Sequence, residues 1–283
     1  MKNIIDFAFL DSGTGGIPYM LSLKKKCPDA RCVYLGDTIH FPYGEKSSDE
    51  VALCASEAVS LIVKKWNPRA LVIACNTISV TALETLRKMF PSLPIIGTVP
   101  AIRLASKVSR NRRIGLLATT ATVKNPYNAK LIEDFASDCQ VFNRADPDLI
   151  SFIEHDLFNA TPEMRKKAVL PAVDFFRKNG CDTIILGCTH FTHIAEDIAL
   201  EAGPGVSVVD SRDGVANHAI DVESRLPEIK DERKEGYENL PEDEAFFCTG
   251  YKSKDDISEY DTLCRRFNIP WGGIITEDGK YEK

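Results

Sequence analysis

The sequence predicts an α/β protein made of two similar units, each a mainly parallel sheet covered by helices on both faces. Three observations carry this expectation. Six short apolar runs alternate with amphipathic, helix-like segments along most of the chain. The runs are apolar throughout rather than alternating, which is the pattern of strands buried on both sides. Two strand-plus-loop segments also recur later in the chain. At about 150 residues per domain, 283 residues give room for two domains.

Taken in order, residues 7–10, 32–35, 70–74, 114–118, 183–186 and 206–209 read as buried strands bounded by Gly, Asp, Asn or Thr. After the second strand, Ser48 is placed to cap a helix with Asp49 and Glu50 in its first turn. Val51, Ala55, Ala58, Val59 and Ile62 form its apolar face. Thr161-Pro162-Glu163 starts another helix, with a capping hydroxyl followed by proline at the first helical position. Pro171 is expected to interrupt it. The first echo pairs Ala70-Leu71-Val72-Ile73-Ala74-Cys75-Asn76-Thr77 with Thr183-Ile184-Ile185-Leu186-Gly187-Cys188-Thr189-His190. The second pairs Phe7-Ala8-Phe9-Leu10-Asp11-Ser12 with Gly115-Leu116-Leu117-Ala118-Thr119-Thr120. A duplication accounts for both.

Composition excludes several classes. Apolar residues at 44% and charged residues at 27% argue against disorder. No apolar run nears the roughly eighteen residues of a membrane span, and the first residues lack a signal-peptide pattern, so a cytoplasmic protein is expected. The net charge is −6, and residues 221–245 hold ten acids and four bases, also −6. The rest is balanced, with no nucleic-acid footprint and no basic membrane face. The acidic stretch reads as a solvated helix and loop. The nine cysteines read as thiols. They include no Cys-x-x-Cys, there is no His-Glu-x-x-His, and His190-x-x-His193 alone is weak, so no metal is expected.

Open α/β sheets bind ligands beyond the carboxyl ends of their strands, which points to the loops 11–16, 37–44, 75–79 and 188–190. Asp11-Ser12-Gly13-Thr14-Gly15-Gly16 lets backbone N–H groups approach an anion, and matches neither the dinucleotide fingerprint nor the P-loop. Asp11 reads either as part of a carboxylate-and-ammonium pocket or as a helix cap. Cys75 and Cys188 each end an apolar strand before an expected helix start, a position that lowers a thiol pKa from about 8.5 toward neutrality. Cys54, Cys139 and Cys181 read as packing. Two thiols from matching halves suit inversion of a carbon centre, which needs a base on one face and an acid on the other.

Together Asp11-Ser12-Gly13-x-Gly15-Gly16, Gly36-Asp37-x4-Pro42-Tyr43-Gly44, Ala74-Cys75-Asn76-Thr77 and Gly187-Cys188-Thr189-His190 resemble the motif set of the glutamate racemases, within the aspartate/glutamate racemase superfamily. The resemblance runs from Ile5 to about Ala216 and more weakly through 246–250. It implies cofactor-independent interconversion of L- and D-glutamate for peptidoglycan, with no metal. It implies that Cys75 takes the α-proton from D-glutamate and Cys188 from L-glutamate. Asp11 would assist Cys75, His190 would assist Cys188, and Glu154 would add a further carboxylate. Asp11, Ser12, Pro42, Tyr43, Gly44, Asn76, Thr77, Thr119, Thr122, Thr189 and His190 would hold the substrate. Ala118-Thr119-Thr120-Ala121-Thr122 departs mildly from the family pattern, and 97–101 lacks the acid or amide many relatives carry. The implied domains are 1–98 with 210–283, and 99–209; a homodimer is implied too. An aspartate racemase, a small-acid binding protein and a dithiol redox protein remain open alternatives at this point.

Overall fold

The computed structural model describes residues 5–228, 244–251, 254–275 and 281–282. The chain begins with β1 (Phe7–Asp11), α1 (Ile17–Lys26), β2 (Cys32–Gly36), α2 (Ser48–Lys65), β3 (Ala70–Ile73), α3 (Asn76–Met89) and β4 (Ile95–Gly97). A second series follows: α4 (Ile102–Val108), β5 (Arg113–Ala118), α5 (Thr120–Lys124), α6 (Pro126–Ala136), β6 (Gln140–Ala145), α7 (Pro147–His155), α8 (Pro162–Lys178), β7 (Thr183–Gly187), α9 (Ala195–Ala202) and β8 (Ser207–Val209). The chain then returns with α10 (Arg212–Ser224), β9 (Phe246–Cys248), α11 (Lys254–Phe267), β10 (Trp271–Ile275) and β11 (Tyr281–Glu282).

Two sheets result, ordered β11-β10-β9-β2-β1-β3-β4 and β6-β5-β7-β8. All the pairings are parallel except β10 with β11. The segment β2-β1-β3-β4 of the first recurs as β6-β5-β7-β8 in the second. The two sequence echoes therefore occupy equivalent places: β1 and β5 are inner strands, and β3 and β7 lie beside them. Each sheet with its helices is one lobe.

Both faces of each sheet are covered. Ala8 and Leu10 of β1 pack into one core, while Phe7 and Phe9 pack into the core on the opposite face. In the second lobe Ile184 and Leu186 point one way from β7 and Ile185 the other. This explains why the strands read as continuous apolar runs: neither side is left to water. After β8 the chain rejoins the first lobe. Val215, Ala216 and Ala219 of α10 enter its core, Ser22 donates to Asp213 at 2.9 Å, and Tyr19 and Ser211 hydroxyls lie 3.0 Å apart.

All six expected strands form, with ends shifted by at most one residue, but β8 lies at a sheet edge and is only half-buried rather than buried. Two helix expectations need correction. The cap of α2 is Ser47, not Ser48: the Ser47 hydroxyl accepts from the Glu50 N–H while the Glu50 carboxylate accepts from the Ser47 N–H, a reciprocal capping box. Ser48 is already helical. Thr161 caps α8 as expected, but Pro171 does not interrupt it. Pro171 and Lys167, whose carbonyl loses an intrahelical donor, are both exposed, where solvent can satisfy that carbonyl and the helix tolerates the proline. Of the acidic stretch, residues 221–224 end α10 and 229–243 lie outside the described residues.

Candidate active site

The four loops follow the carboxyl ends of β1, β2, β3 and β7 and meet between the lobes. They surround a cavity of about 210 Å³. This is below the roughly 300–1,000 Å³ of drug-sized ligand sites, a scale suited to a small metabolite. The first lobe contributes Ser12, Pro42, Tyr43, Gly44, Cys75, Asn76 and Thr77, and the second Thr119, Cys188, Thr189 and His190. Asp11, Thr122 and Glu154 do not line the cavity; each stands behind a residue that does. Asp11 accepts from Thr189 Oγ1 at 3.0 Å, Thr122 Oγ1 lies 3.0 Å from Thr119 Oγ1, and Glu154 Oε2 lies 2.8 Å from His190 Nε2.

Cys75 ends β3 as the cap of α3. Cys188 ends β7 before a 3₁₀ run, Thr189–Ile194, rather than an α-helix. Both are about 95% buried yet line the one cavity. The expectation of a lowered thiol pKa is reversed at Cys75. Burial, then the Asp11 charge, push it well above its ordinary value, outweighing the Ile78 N–H, and negative charge on Cys188 adds to the rise. Cys75 is thus held as a thiol.

Asp11 is not a helix cap; Gly16 occupies that place for α1. Its carboxylate accepts from the Ser12 N–H at 2.7 Å and from Thr189. Burial raises its pKa against the opposing pull of His190, Ser12, Cys75 and Thr189. Around Cys188 the arrangement differs. His190 Nδ1 lies 3.7 Å from Cys188 Sγ, and its Nε2 faces Glu154. Burial would strip the proton from His190, but Cys188 and Glu154 override this and hold its pKa well above the ordinary value. Burial likewise disfavours ionised Glu154, yet the His190 interaction and the Thr14 hydrogen bonds bring its pKa down to about 2. One thiol faces a carboxylate and the other a carboxylate-backed imidazolium.

Hydroxyls and amides complete the walls. Thr77 and Thr119 hydroxyls meet across the lobes at 3.0 Å. Tyr43 donates to buried Asp37. Asn76 is 2% exposed, and neither polar atom of its side chain has a protein partner. A buried amide in this condition is costly unless a ligand meets it. Two glycines make the close approach possible. A Cβ on Gly13 would fall 2.7 Å from Glu154 Oε1, and one on Gly15 would fall 2.6 Å from His190 Nδ1. The cavity is also lined by Phe41, Glu45, Thr120, Pro147, Ile150, Ser151 and His155, which the motif reading missed. His155 adjoins Glu154 on α7 and could have been inferred from that neighbour; the others carry no signal outside the fold. Among the described residues, no group of three or more His, Cys, Asp and Glu is arranged to hold a metal, and no helix is long and apolar enough to cross a membrane.

The fold and site define a class: duplicated α/β proteins with a small, polar-walled cavity between the lobes, lined by a thiol from each. Comparison with known proteins makes this specific. Residues 21–219 match the model of the Asp/Glu/Hydantoin racemase family. A glutamate racemase of Treponema pallidum is 35% identical over 269 residues, covering 95% of this chain and 96% of the relative. One from Glaesserella parasuis is 38% identical, covering 84% and 86%. Among solved structures, Escherichia coli glutamate racemase in complex with L-glutamate and the activator UDP-MurNAc-Ala superposes with a TM-score of 0.80 at 26% identity, covering 96% and 97%. This chain belongs to the Asp/Glu/Hydantoin racemase family.

Proposed function

We propose that the protein is a glutamate racemase that interconverts L- and D-glutamate by passing the α-proton between Cys75 and Cys188. The observation that carries this reading is the pair of thiols, from equivalent strands of the two lobes, lining one cavity. Relatives across nearly the whole chain are glutamate racemases, and the E. coli structure holds L-glutamate.

In the L-to-D direction, Cys188 as thiolate accepts the α-proton and becomes a thiol. Cys75 gives its thiol proton to the opposite face and becomes a thiolate. The D-to-L direction exchanges these roles. His190, protonated and backed by Glu154, stabilises negative charge at the Cys188 sulfur, and Asp11 supports Cys75. The carbanion beside an ionised carboxylate is the energetic obstacle. Preorganised groups meet it: the unpartnered Asn76 amide and the N–H groups opening α3 donate, while the Ser12 and Thr189 hydroxyls, turned to Asp11, and the linked Thr77 and Thr119 hydroxyls hold the polar walls in place. Pro42, Tyr43 and Gly44 close the cavity on the side of the first lobe, and Thr122 fixes Thr119. No cofactor takes part in this scheme.

On this reading the domains are 1–98 with 210–283, and 99–209. The protein is a cytoplasmic homodimer, a setting that suits its nine free cysteines, and its D-glutamate serves peptidoglycan and hence cell shape. The test is direct. Purified protein without added cofactor should racemise L-glutamate, and not L-aspartate, by circular dichroism. Cys75→Ala and Cys188→Ala should each abolish this. Full activity in either variant would refute the two-thiol scheme.

A further inference from the structure

Thr14 does not line the cavity, yet three of its polar groups cross to the other lobe. Its Oγ1–H and N–H donate to Glu154 Oε2 at 2.6 and 3.0 Å, and its carbonyl accepts from His193 Nε2 at 3.0 Å. A carbonyl only accepts, so His193 carries its proton on Nε2. Burial, chiefly, pulls the His193 pKa down to about 4, so the ring is neutral and anchors Thr14 as a plain donor. Two Thr14 donors and His190 Nε2 thus converge on one carboxylate oxygen. The other, Oε1, is buried without a partner, pressed against Gly13. A carboxylate with all its donors on one oxygen cannot rotate without losing them. Its direction toward His190 is therefore fixed from the first lobe.

We propose that Thr14 is a positioning residue: it holds the Glu154 carboxylate on His190 and so keeps a proton on the imidazole that faces Cys188. Thr14 and Glu154 belong to different lobes, so this support exists only while the lobes are apposed. The other titratable groups acting on the pair are Asp11 and Tyr34 from the first lobe, and Cys188 and His193 from the second. None of them changes in the variants below.

This proposal rests on the racemase reading for its kinetic arm, and a second arm is independent of it. Thr14→Val removes the hydroxyl and keeps the shape and the N–H; Thr14→Ser restores the hydroxyl. Loss of one charge-assisted hydrogen bond should lower kcat by about tenfold with KM near the wild-type value. The alkaline limb of the pH–rate profile, where His190 loses its proton, should move to lower pH by about one unit, and Thr14→Ser should recover most of both. In parallel, ¹⁵N shifts of the His190 ring, followed against pH, should show a lower titration midpoint in Thr14→Val. Thr14→Ala serves the same measurement if valine packs poorly. An unmoved His190 midpoint, or equal impairment of the valine and serine variants without a shifted pH limb, overturns the proposal. A wild-type protein that does not racemise glutamate would instead overturn the function, and the ring titration would still decide the role of Thr14.

Discussion

Replacing Gly15 by alanine perturbs the site by a single methyl group whose consequences can be worked out from distances. The Gly15 backbone is outside the left-handed region, which among the described glycines holds only Gly180, Gly203 and Gly273. The requirement at Gly15 is therefore space rather than conformation. The new Cβ would fall 2.6 Å from His190 Nδ1, 2.7 Å from the His190 backbone N and 2.8 Å from Thr189 Oγ1. Ordinary contact begins at 3.4 Å, so the partners must retreat by about 0.7 Å. A rotamer change cannot move the backbone nitrogen, so the lobes themselves must part. Overpacking of this kind costs about 1–3 kcal/mol of stability. A misplacement approaching 1 Å can cost about 100-fold in rate. Gly15→Ala should therefore fold with a lower unfolding midpoint and lose between about 10- and 100-fold in kcat/KM. The enantiomers have equal free energies in water, so the loss must be the same in both directions. Circular dichroism with each enantiomer measures it. Wild-type kcat/KM in Gly15→Ala would show that the close contact across the cleft is irrelevant to the reaction.

Glu154 and Tyr34 yield two further expectations. Glu154 has a folded pKa of about 2 against an ordinary 4.5, a difference of about 2.5 units or about 3 kcal/mol. A depressed carboxylate stabilises the fold above 4.5, and that contribution is lost as pH falls toward 2. His190, raised above 6.5, contributes below that value and loses its contribution as pH rises through its folded pKa. Both describe one ion pair, fully present between pH 4.5 and 6.5, and they are not summed. Glu154→Gln should flatten the decline in stability below pH 4.5, as read by denaturant unfolding; an unchanged decline would contradict the pairing. The Tyr34 hydroxyl donates to Gly13 O at 2.9 Å and accepts from the Gly16 N–H at 3.0 Å, bridging the glycine loop inside the core. Tyr34→Phe strands both groups, and should cost about 2–4 kcal/mol in unfolding free energy and slow racemisation; unaltered stability would show that the loop does not rely on this bridge.

The parts of the molecule visible in its sequence are those governed by short-range rules. Strands such as Phe7–Asp11 and Thr183–Gly187 were readable because burial on both faces leaves no polar residue inside them. Cys75 and Cys188 stood out because each ends such a strand among small polar residues. By contrast, Gln140–Ala145 is an edge strand without a fully buried residue, and β4 and β9 have three residues each. Pairing partners define them, and no run of residues does. Electrostatics was the least legible property. A strand-end cysteine was expected to be acidic, yet burial, and then the charge of Asp11 from another loop, reverse this at Cys75; both arise only once the chain is folded. Thr14 appeared only as the variable position of a glycine motif; its contacts with Glu154 and His193 lie 140 and 179 residues away in the chain.

Deuterium incorporation from heavy water, followed from L-glutamate at early times by NMR and chiral chromatography, bears most directly on two thiols working from opposite faces. Each thiol exchanges with solvent while the site is empty, and the donor differs from the base. The D-glutamate formed should carry deuterium at the α-carbon, while recovered L-glutamate should retain its hydrogen. A single base serving both faces would return the original hydrogen to the product or place deuterium in both enantiomers from the start, and either pattern would contradict the account.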